Sequence, residues 1–220
     1  MPTNHGSLTV AAPVRIGAAT VREPVDSSQF VRFITYGVVF LVLATAGCTL
    51  HSSLPELGNV PAFSLTTQNG TGFSSDSLQG RVWVADFIFT TCNGPCPRMS
   101  SQLRRLQNRL GKRDENLKSV RLVSITVDPQ HDDPRTLLEY SRHFRADPRI
   151  WSFLTGPEQE IRRLSVDTFH INTAASPLEH STRLILVDGK ARIRGYYEST
   201  DAEMLEQLAG DMDKLRKEVF

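Results

Sequence analysis

Apolar and polar positions after residue 60 follow two periods, one typical of strands and one typical of helices. Two runs are almost wholly apolar, RVWVADFIFT and VRLVSITVD, and such runs are typical of central strands covered on both faces. From Pro97 to Leu110 the apolar residues recur instead at helical spacing, with Met99, Leu103 and Leu106 on the stripe that ends at Leu110. The pattern therefore predicts buried strands that alternate with amphipathic helices.

Further elements complete this alternation. Two hairpins are predicted, one turning at Asn69 and Gly70 and the other, in STRLILVDGKARIRGYYES, at Asp188 and Gly189. The remaining predicted elements are a helix after Pro134 with Leu137, Tyr140 and Phe144 inward, the strand IWSFLTG, a helix over Glu158–Phe169, and a last helix with Leu205, Leu208, Met212, Leu215 and Val219 inward. This order predicts an α/β, thioredoxin-like fold with a central mixed sheet flanked by helices.

Composition narrows the class of protein. The chain has 220 residues, of which 40% are hydrophobic and 22% charged, and its formal net charge is +1. This is an ordinary globular composition, and it gives no indication of a nucleic-acid partner. Only three cysteines are present, which excludes a disulfide-dense scaffold. We expect one monomeric thioredoxin-like domain over residues 61–220, preceded by a linker at 51–60.

The first fifty residues differ from the rest. Residues 1–29 lack apolar periodicity and predict a disordered tail. Residues 30–50 carry an uncharged run from Phe33 to Gly47, which suits a signal-peptide core or a short membrane anchor better than a full span of about 20 residues. Small residues precede Cys48 as in a lipoprotein cleavage box. Two tethers are therefore predicted as alternatives, a lipid on Cys48 and an uncleaved membrane anchor. Basic residues precede the run, which places the domain outside a bacterial cytoplasmic membrane, facing the periplasm.

Cys92 and Cys96 stand with three residues between them in TTCNGPCPRMS, in the predicted loop between the first central strand and the first helix. A structural disulfide, a thiol–disulfide exchange pair and a soft-metal site are the alternatives. The disulfide alone is the weakest of them, because a loop this short adds little stability. We expect the helix dipole to stabilise a thiolate at Cys96.

Two other residues bear on this choice. Asp86 lies in an apolar strand six positions before Cys92, where a carboxylate must be neutral or hydrogen-bonded. It either assists proton transfer at the thiols or bonds a neighbour in a structural role. His180 precedes the strand LILV, at which point thioredoxins carry a proline. Two thiolates and an imidazole would suit Cu(I) or Cu(II), whereas a structural zinc site needs four ligands.

These motifs together resemble the SCO/SenC family of copper proteins. The residues that carry the resemblance are Cys92, Cys96 and Pro97 in CNGPCP, Asp128 and Asp132 in VDPQHDDP, and His180 in LEHS. The resemblance implies a thioredoxin-like protein that binds copper through Cys92, Cys96 and His180. It also implies a role in assembling the copper centre of cytochrome c oxidase, with the copper-accepting subunit of a respiratory oxidase as partner.

More than one role is open to the acidic residues near these motifs. Glu179 stands where the family often has Asp, which alters the reach of the acid beside the imidazole. Asp128 and Asp132 either form a turn and cap the helix after Pro134, or contact the cysteine loop or a partner. Carboxylates are poor Cu(I) ligands, so neither is assigned to the metal. The other histidines of the domain, His131, His143 and His170, are expected at the surface or in packing.

The predicted function is that of a copper metallochaperone rather than an enzyme. Two alternatives use the same cysteines: an extracytoplasmic thiol–disulfide oxidoreductase, in which Cys92 and Cys96 cycle through a disulfide, and a copper or redox sensor.

Overall fold

The computed structural model describes residues 54–111, 116–171, 182–201 and 203–219. Several predictions fall outside these ranges: the tail at 1–29, the signal or anchor segment at 30–50, Cys48, Glu179 and His180. Within the described ranges, no helix combines the length and the apolar character that a membrane crossing requires.

Strands and helices alternate along the described chain. The strands are β1 Gly58–Asn59, β2 Ser64–Thr67, β3 Gly72–Ser74, β4 Val82–Ile88, β5 Val120–Thr126, β6 Trp151–Thr155, β7 Arg183–Val187 and β8 Arg192–Glu198. The helices are α1 Pro95–Leu110, α2 Asn116–Ser119, α3 Pro134–His143, α4 Glu158–Arg162 and α5 Met204–Val219. A 3-10 turn spans Ser75–Leu78, and π-helical turns continue α4 over Arg163–Thr168. The predicted helix Glu158–Phe169 is therefore only partly α-helical.

All the strands join in one mixed sheet of order β1-β8-β7-β4-β5-β6-β2-β3. β4, β5 and β6 run parallel at the centre, and the other pairings are antiparallel. The predicted fold class, a thioredoxin-like mixed sheet flanked by helices, is confirmed. Both predicted hairpins are also present, and in the first the turn residue Gly70 has a φ of 75°, which glycine adopts without strain.

Each face of the sheet has its own core. One face packs against α1, α3 and α5, and the predicted stripe of α1 is buried there along its whole length. The other face packs against the chain just before β2, the 3-10 turn and the α4 region. In α5 the first inward residue is Met204, and the predicted Leu205 is only partly buried, since Met204 lies one turn before the buried Leu208.

The chain enters the sheet earlier than the sequence predicted. Residues 54–60, assigned above to a linker, contain β1, which pairs with β8 beside the turn at Asp188 and Gly189. The backbone N–H groups of Leu57 and Val60 donate to carbonyls of that hairpin, each at 2.8 Å. This entry segment lies at the end of the sheet where β4 begins, opposite the end that leads to the cysteines.

A buried arginine holds the entry segment. Arg194, with 2% of its side chain exposed, donates to the Leu54 carbonyl at 2.7 Å and to the Pro55 carbonyl at 2.9 Å. It also forms an ion pair of 2.8 Å with Asp188, which Arg192 bonds as well, and a longer one of 3.9 Å with Glu218. The guanidinium charge is thus matched by a carboxylate, as burial of a charge requires.

We expect Arg194→Leu to lower the free energy of unfolding by about 3 kcal/mol, because the two carbonyls lose their donor and Asp188 loses one buried partner. Chemical denaturation of the full chain would measure this. The control is Arg135→Leu, which removes a largely exposed pair with Glu139 and should cost less than about 1 kcal/mol. Equal losses for the two variants would contradict a specific role of Arg194.

Candidate metal centre

Both described cysteines lie where β4 gives way to α1. The strand ends at Ile88, and in the loop the backbone N–H of Cys92 donates to the Phe89 carbonyl at 3.2 Å. The helix begins at Pro95, one residue before Cys96, and proline suits this position because its missing N–H would have no helical partner. The local sequence thereby places Cys96 in the first helical turn.

The two side chains are buried thiols in contact with each other. Cys92 is 5% exposed and Cys96 is 2% exposed. Burial, together with a hydrogen bond to Cys92, raises the pKa of Cys96 to about 12. The prediction that the helix dipole stabilises a Cys96 thiolate is therefore wrong, because removing the anion from water outweighs the field of the helix N-terminus.

Asp86 is a fully buried carboxyl group in β4. Neither of its oxygens has a hydrogen-bond partner among the described residues. Opposite it on β5 lies Ser124, whose hydroxyl accepts from the indole N–H of Trp151 at 2.9 Å. Burial raises the pKa of Asp86 to about 7, and the nearby Ser124 hydroxyl offsets only part of this shift. The polar neighbours of Asp86 include Ser124, as the structural role requires, and Cys96, as proton transfer requires.

A second pair of polar groups lies close to Asp86 and the thiols. The hydroxyls of Tyr140 and Ser100 are 3.0 Å apart. Burial is the main reason that the pKa of Tyr140 is raised, and the charges of Asp86, Cys96 and Cys92 add to it. Sequence reasoning assigned Tyr140 to packing and passed over Ser100. The position of Ser100 one helical turn after Cys96 is a signal that could have identified it.

Asp132 ties the cysteine loop to the loop after β5. Its carboxylate is fully buried and accepts a hydrogen bond of 3.0 Å from the backbone N–H of Thr90. The hydroxyls of Thr90 and Thr126 also donate to it, one to each oxygen. Since Thr90 precedes Cys92 by two residues, these bonds hold the start of the cysteine loop against the neighbouring strand.

The helix cap belongs to a residue that the sequence analysis did not select. Asp133 caps α3, with its Oδ1 accepting from the Thr136 N–H at 2.7 Å, so neither Asp128 nor Asp132 is the cap. Asp128 lies closer to the surface and accepts from Nδ1 of His131 at 2.9 Å. This hydrogen bond raises the pKa of His131, which is exposed as predicted.

The described residues supply two sulfur donors to a metal. They contain no group of three or more His, Cys, Asp or Glu side chains that could hold an ion. His180 lies outside them, two positions before Thr182. Thr182 directly precedes β7, and because β7 runs antiparallel beside β4, β7 begins at the end of the sheet where β4 ends. The cysteine loop lies at that same end of the sheet.

We expect Asp132→Asn to lower the free energy of unfolding by about 3 kcal/mol and to accelerate hydrogen exchange at the Thr90 amide. Each Asp132 oxygen accepts from donors, so an amide nitrogen at either position would face another donor. The matched control is Asp133→Asn, which should change little because asparagine caps helices as well as aspartate does. Indistinguishable behaviour of the two variants would contradict the role assigned to Asp132.

We also expect Asp86→Asn to change how stability depends on pH. The folded pKa of about 7 lies above the ordinary value of 3.8, so ionisation of Asp86 opposes folding. This penalty is absent below about pH 4 and complete above about pH 7. The variant should therefore be more stable than the wild type at pH 8, by up to about 4 kcal/mol, and similar to it at pH 4. Denaturation of the reduced proteins at each pH gives the difference, and a gap that stays constant with pH would contradict this account.

Comparison with known proteins tests the resemblance to the SCO/SenC family. The sequence matches the SCO1/SenC family over residues 55–216. It is 36% identical over 142 residues to a SCO1 protein homolog of Bacillus subtilis, and the aligned region covers 64% of this chain and 72% of that protein. The resemblance drawn from the cysteine, aspartate and histidine motifs is therefore confirmed.

Solved structures share the fold. A SCO1/SenC family lipoprotein from Bacillus anthracis superposes with a TM-score of 0.64 at 31% identity, covering 72% of this chain and 95% of that one. BsSco, a cytochrome c oxidase assembly protein with a disulfide switch, gives 0.65 at 29% identity, with coverages of 74% and 97%. ScoI of Bradyrhizobium japonicum, solved with copper bound, gives 0.55 at 24% identity, with coverages of 70% and 98%, and shows the common fold alone. On these grounds the chain belongs to the SCO1/SenC family.

Proposed function

We propose that this protein carries copper as cargo and delivers it to the copper-accepting subunit of a respiratory oxidase. The observation that carries the proposal is the pair of adjacent buried thiols, Cys92 and Cys96, at one end of the sheet in a member of the SCO1/SenC family. Thiolates are soft ligands that favour Cu(I), and with an imidazole they also hold Cu(II). His180 is the proposed third ligand, which leaves a coordination position open for transfer to the partner's ligands.

Copper binding must displace protons from the cysteines. With a pKa of about 12, Cys96 is a thiol at neutral pH, and a metal ligand must be a thiolate. Each S–H bond that breaks releases one proton as the sulfur–copper bond forms. Asp86 is the proposed acceptor for the Cys96 proton, because its carboxylate lacks a hydrogen-bond partner among the described residues and its charge opposes that of the Cys96 thiolate. Protonation of Asp86 would remove this repulsion.

The proposed location is the outer side of the cytoplasmic membrane. The family match begins at residue 55, so the predicted signal or anchor segment at 30–50 precedes the matched range. The Bacillus anthracis relative is a lipoprotein, and this favours a lipidated Cys48 over an uncleaved anchor as the tether. A tethered domain outside the cell can reach an oxidase subunit in the same membrane without diffusing away.

Thiol–disulfide exchange is the second candidate function. BsSco, at 29% identity, has a disulfide switch, and the side chains of Cys92 and Cys96 are already in contact here. In exchange, one thiolate attacks a partner's disulfide, and the second then releases the reduced partner as Cys92 and Cys96 become the disulfide. A copper or redox sensor would use the same two states, with a change in a partner's signalling as its output.

We expect the reduced full chain to bind one copper ion, and Cys92→Ser or Cys96→Ser to abolish tight binding because hydroxyl oxygen is a poor ligand for Cu(I). His180→Ala should weaken binding at least about tenfold, an effect of the size found for disturbed metal sites. Competition with a Cu(I) chelator of known affinity measures each variant.

The control is His143→Ala, which removes an exposed imidazole at the end of α3 and should leave the affinity unchanged. If His180→Ala binds copper as tightly as the wild type does, the three-ligand set is wrong. If the wild type binds copper weakly but reduces a partner's disulfide rapidly, thiol–disulfide exchange is the function.

A further inference from the structure

The helix that begins at the cysteine loop carries only positive charge. Its 16 residues contain no Asp or Glu and four arginines, which are Arg98, Arg104, Arg105 and Arg109. Across Phe87–Arg113 the sequence has six basic residues and no acidic one. The whole chain has a formal net charge of only +1, so positive charge is concentrated in the segment that also holds the thiols.

Three of these arginines form a stripe on the outer face of α1. Arg98, Arg105 and Arg109 are separated by seven and four residues, which is the spacing of one helical face, and all three are exposed. The stripe runs along about 16 Å of helix at 1.5 Å per residue. Arg98 stands at the cysteine end, two residues after Cys96. We call this set of three residues the arginine stripe.

Little within the domain neutralises the arginine stripe. Arg109 pairs with Glu206, and both side chains of that pair are largely exposed, so solvent screens the interaction. Arg98 and Arg105 make no ion pair with any residue in the described part of the chain. The helix N-terminus adds partial positive charge at the same end as Arg98. The stripe therefore presents guanidinium groups that are available to carboxylates of another molecule.

The burial of the thiols requires such a molecule to come close. Cys92 is 5% exposed and Cys96 is 2% exposed, so a group that takes copper or exchanges a disulfide must contact the loop itself. Complementary charge beside a reactive site raises the rate of productive encounters and selects the partner. A protein with an acidic face next to its own copper ligands would match the arginine stripe.

We propose that the arginine stripe is the docking surface for an acidic face on the copper-accepting protein. The inference rests on the proposed function, because it assigns a partner to the same cysteines. An anionic membrane surface is the weaker candidate for occupying the stripe. The reason is that the chain enters the folded domain at the end of the sheet opposite the cysteine loop and Arg98, where Arg194 holds residues 54 and 55.

The test compares the wild-type full chain, in detergent, with the double variant Arg98→Glu/Arg105→Glu. The probe is the purified copper-accepting domain of the respiratory oxidase from the same organism. Association and copper transfer are measured separately, at low salt and at 0.5 M salt. We expect the double variant to associate about tenfold more weakly at low salt, with the difference largely lost at high salt. Its copper affinity should equal that of the wild type, because no ligand is changed.

The matched control is Arg162→Glu/Lys190→Glu, which makes the same change in net charge at exposed positions away from α1. Unchanged association for Arg98→Glu/Arg105→Glu, or equal weakening in the control, would overturn the proposed docking surface. A wild type that associates but transfers no copper would count against the proposed function and leave the docking surface standing. Binding to vesicles with anionic lipid is measured in parallel, and a defect confined to vesicles would assign the stripe to a membrane and overturn the proposal.

Discussion

The burial of β4 is the constraint on which the candidate site depends. All seven of its residues are buried, because β5 and β7 flank it and the two hydrophobic cores cover its faces. The cysteine loop follows this strand directly, and both of its thiols are buried away from solvent. Close packing holds this central strand in place, so the first residues of the cysteine loop are also fixed.

The same dry environment controls the chemistry of the site. Asp86 and Cys96 both resist ionisation because burial removes the water that would stabilise their charges, and the charge of Asp86 further disfavours a Cys96 thiolate. A cation that binds the sulfurs would relieve this restriction, because it would take the place of the thiol protons and balance the charge of the thiolates. The hydrogen bonds of Asp132 complement this arrangement, since they keep the loop in position whether or not the thiols are protonated.

Much of the fold was predictable from periodicity, and the reasons are local. The stripe of α1 and the alternation of strands and helices follow from which residues must avoid water, and the turn at Gly70 follows from backbone freedom. The errors arose where a contact distant in sequence decides the outcome. Residues 54–60 have the composition of a linker, yet β8 and Arg194 draw them into the sheet. The cap of α3 is a different kind of error, because it is local: Asp133 directly precedes Pro134, at the first helical position, and accepts from the Thr136 N–H three residues later.

The sequence by itself determined the chemical types at the site: two thiols with three residues between them, an acid six positions earlier, and a helix start beside them. These are properties of spacing along one chain, and together with the later motifs they identified the family. Only the tertiary structure decided how those groups behave. The pKa of Cys96 rises rather than falls, and Asp132 joins the cysteine loop across a gap of 42 residues. Both results come from solvent exclusion and from contacts between distant segments, which spacing along the sequence does not encode.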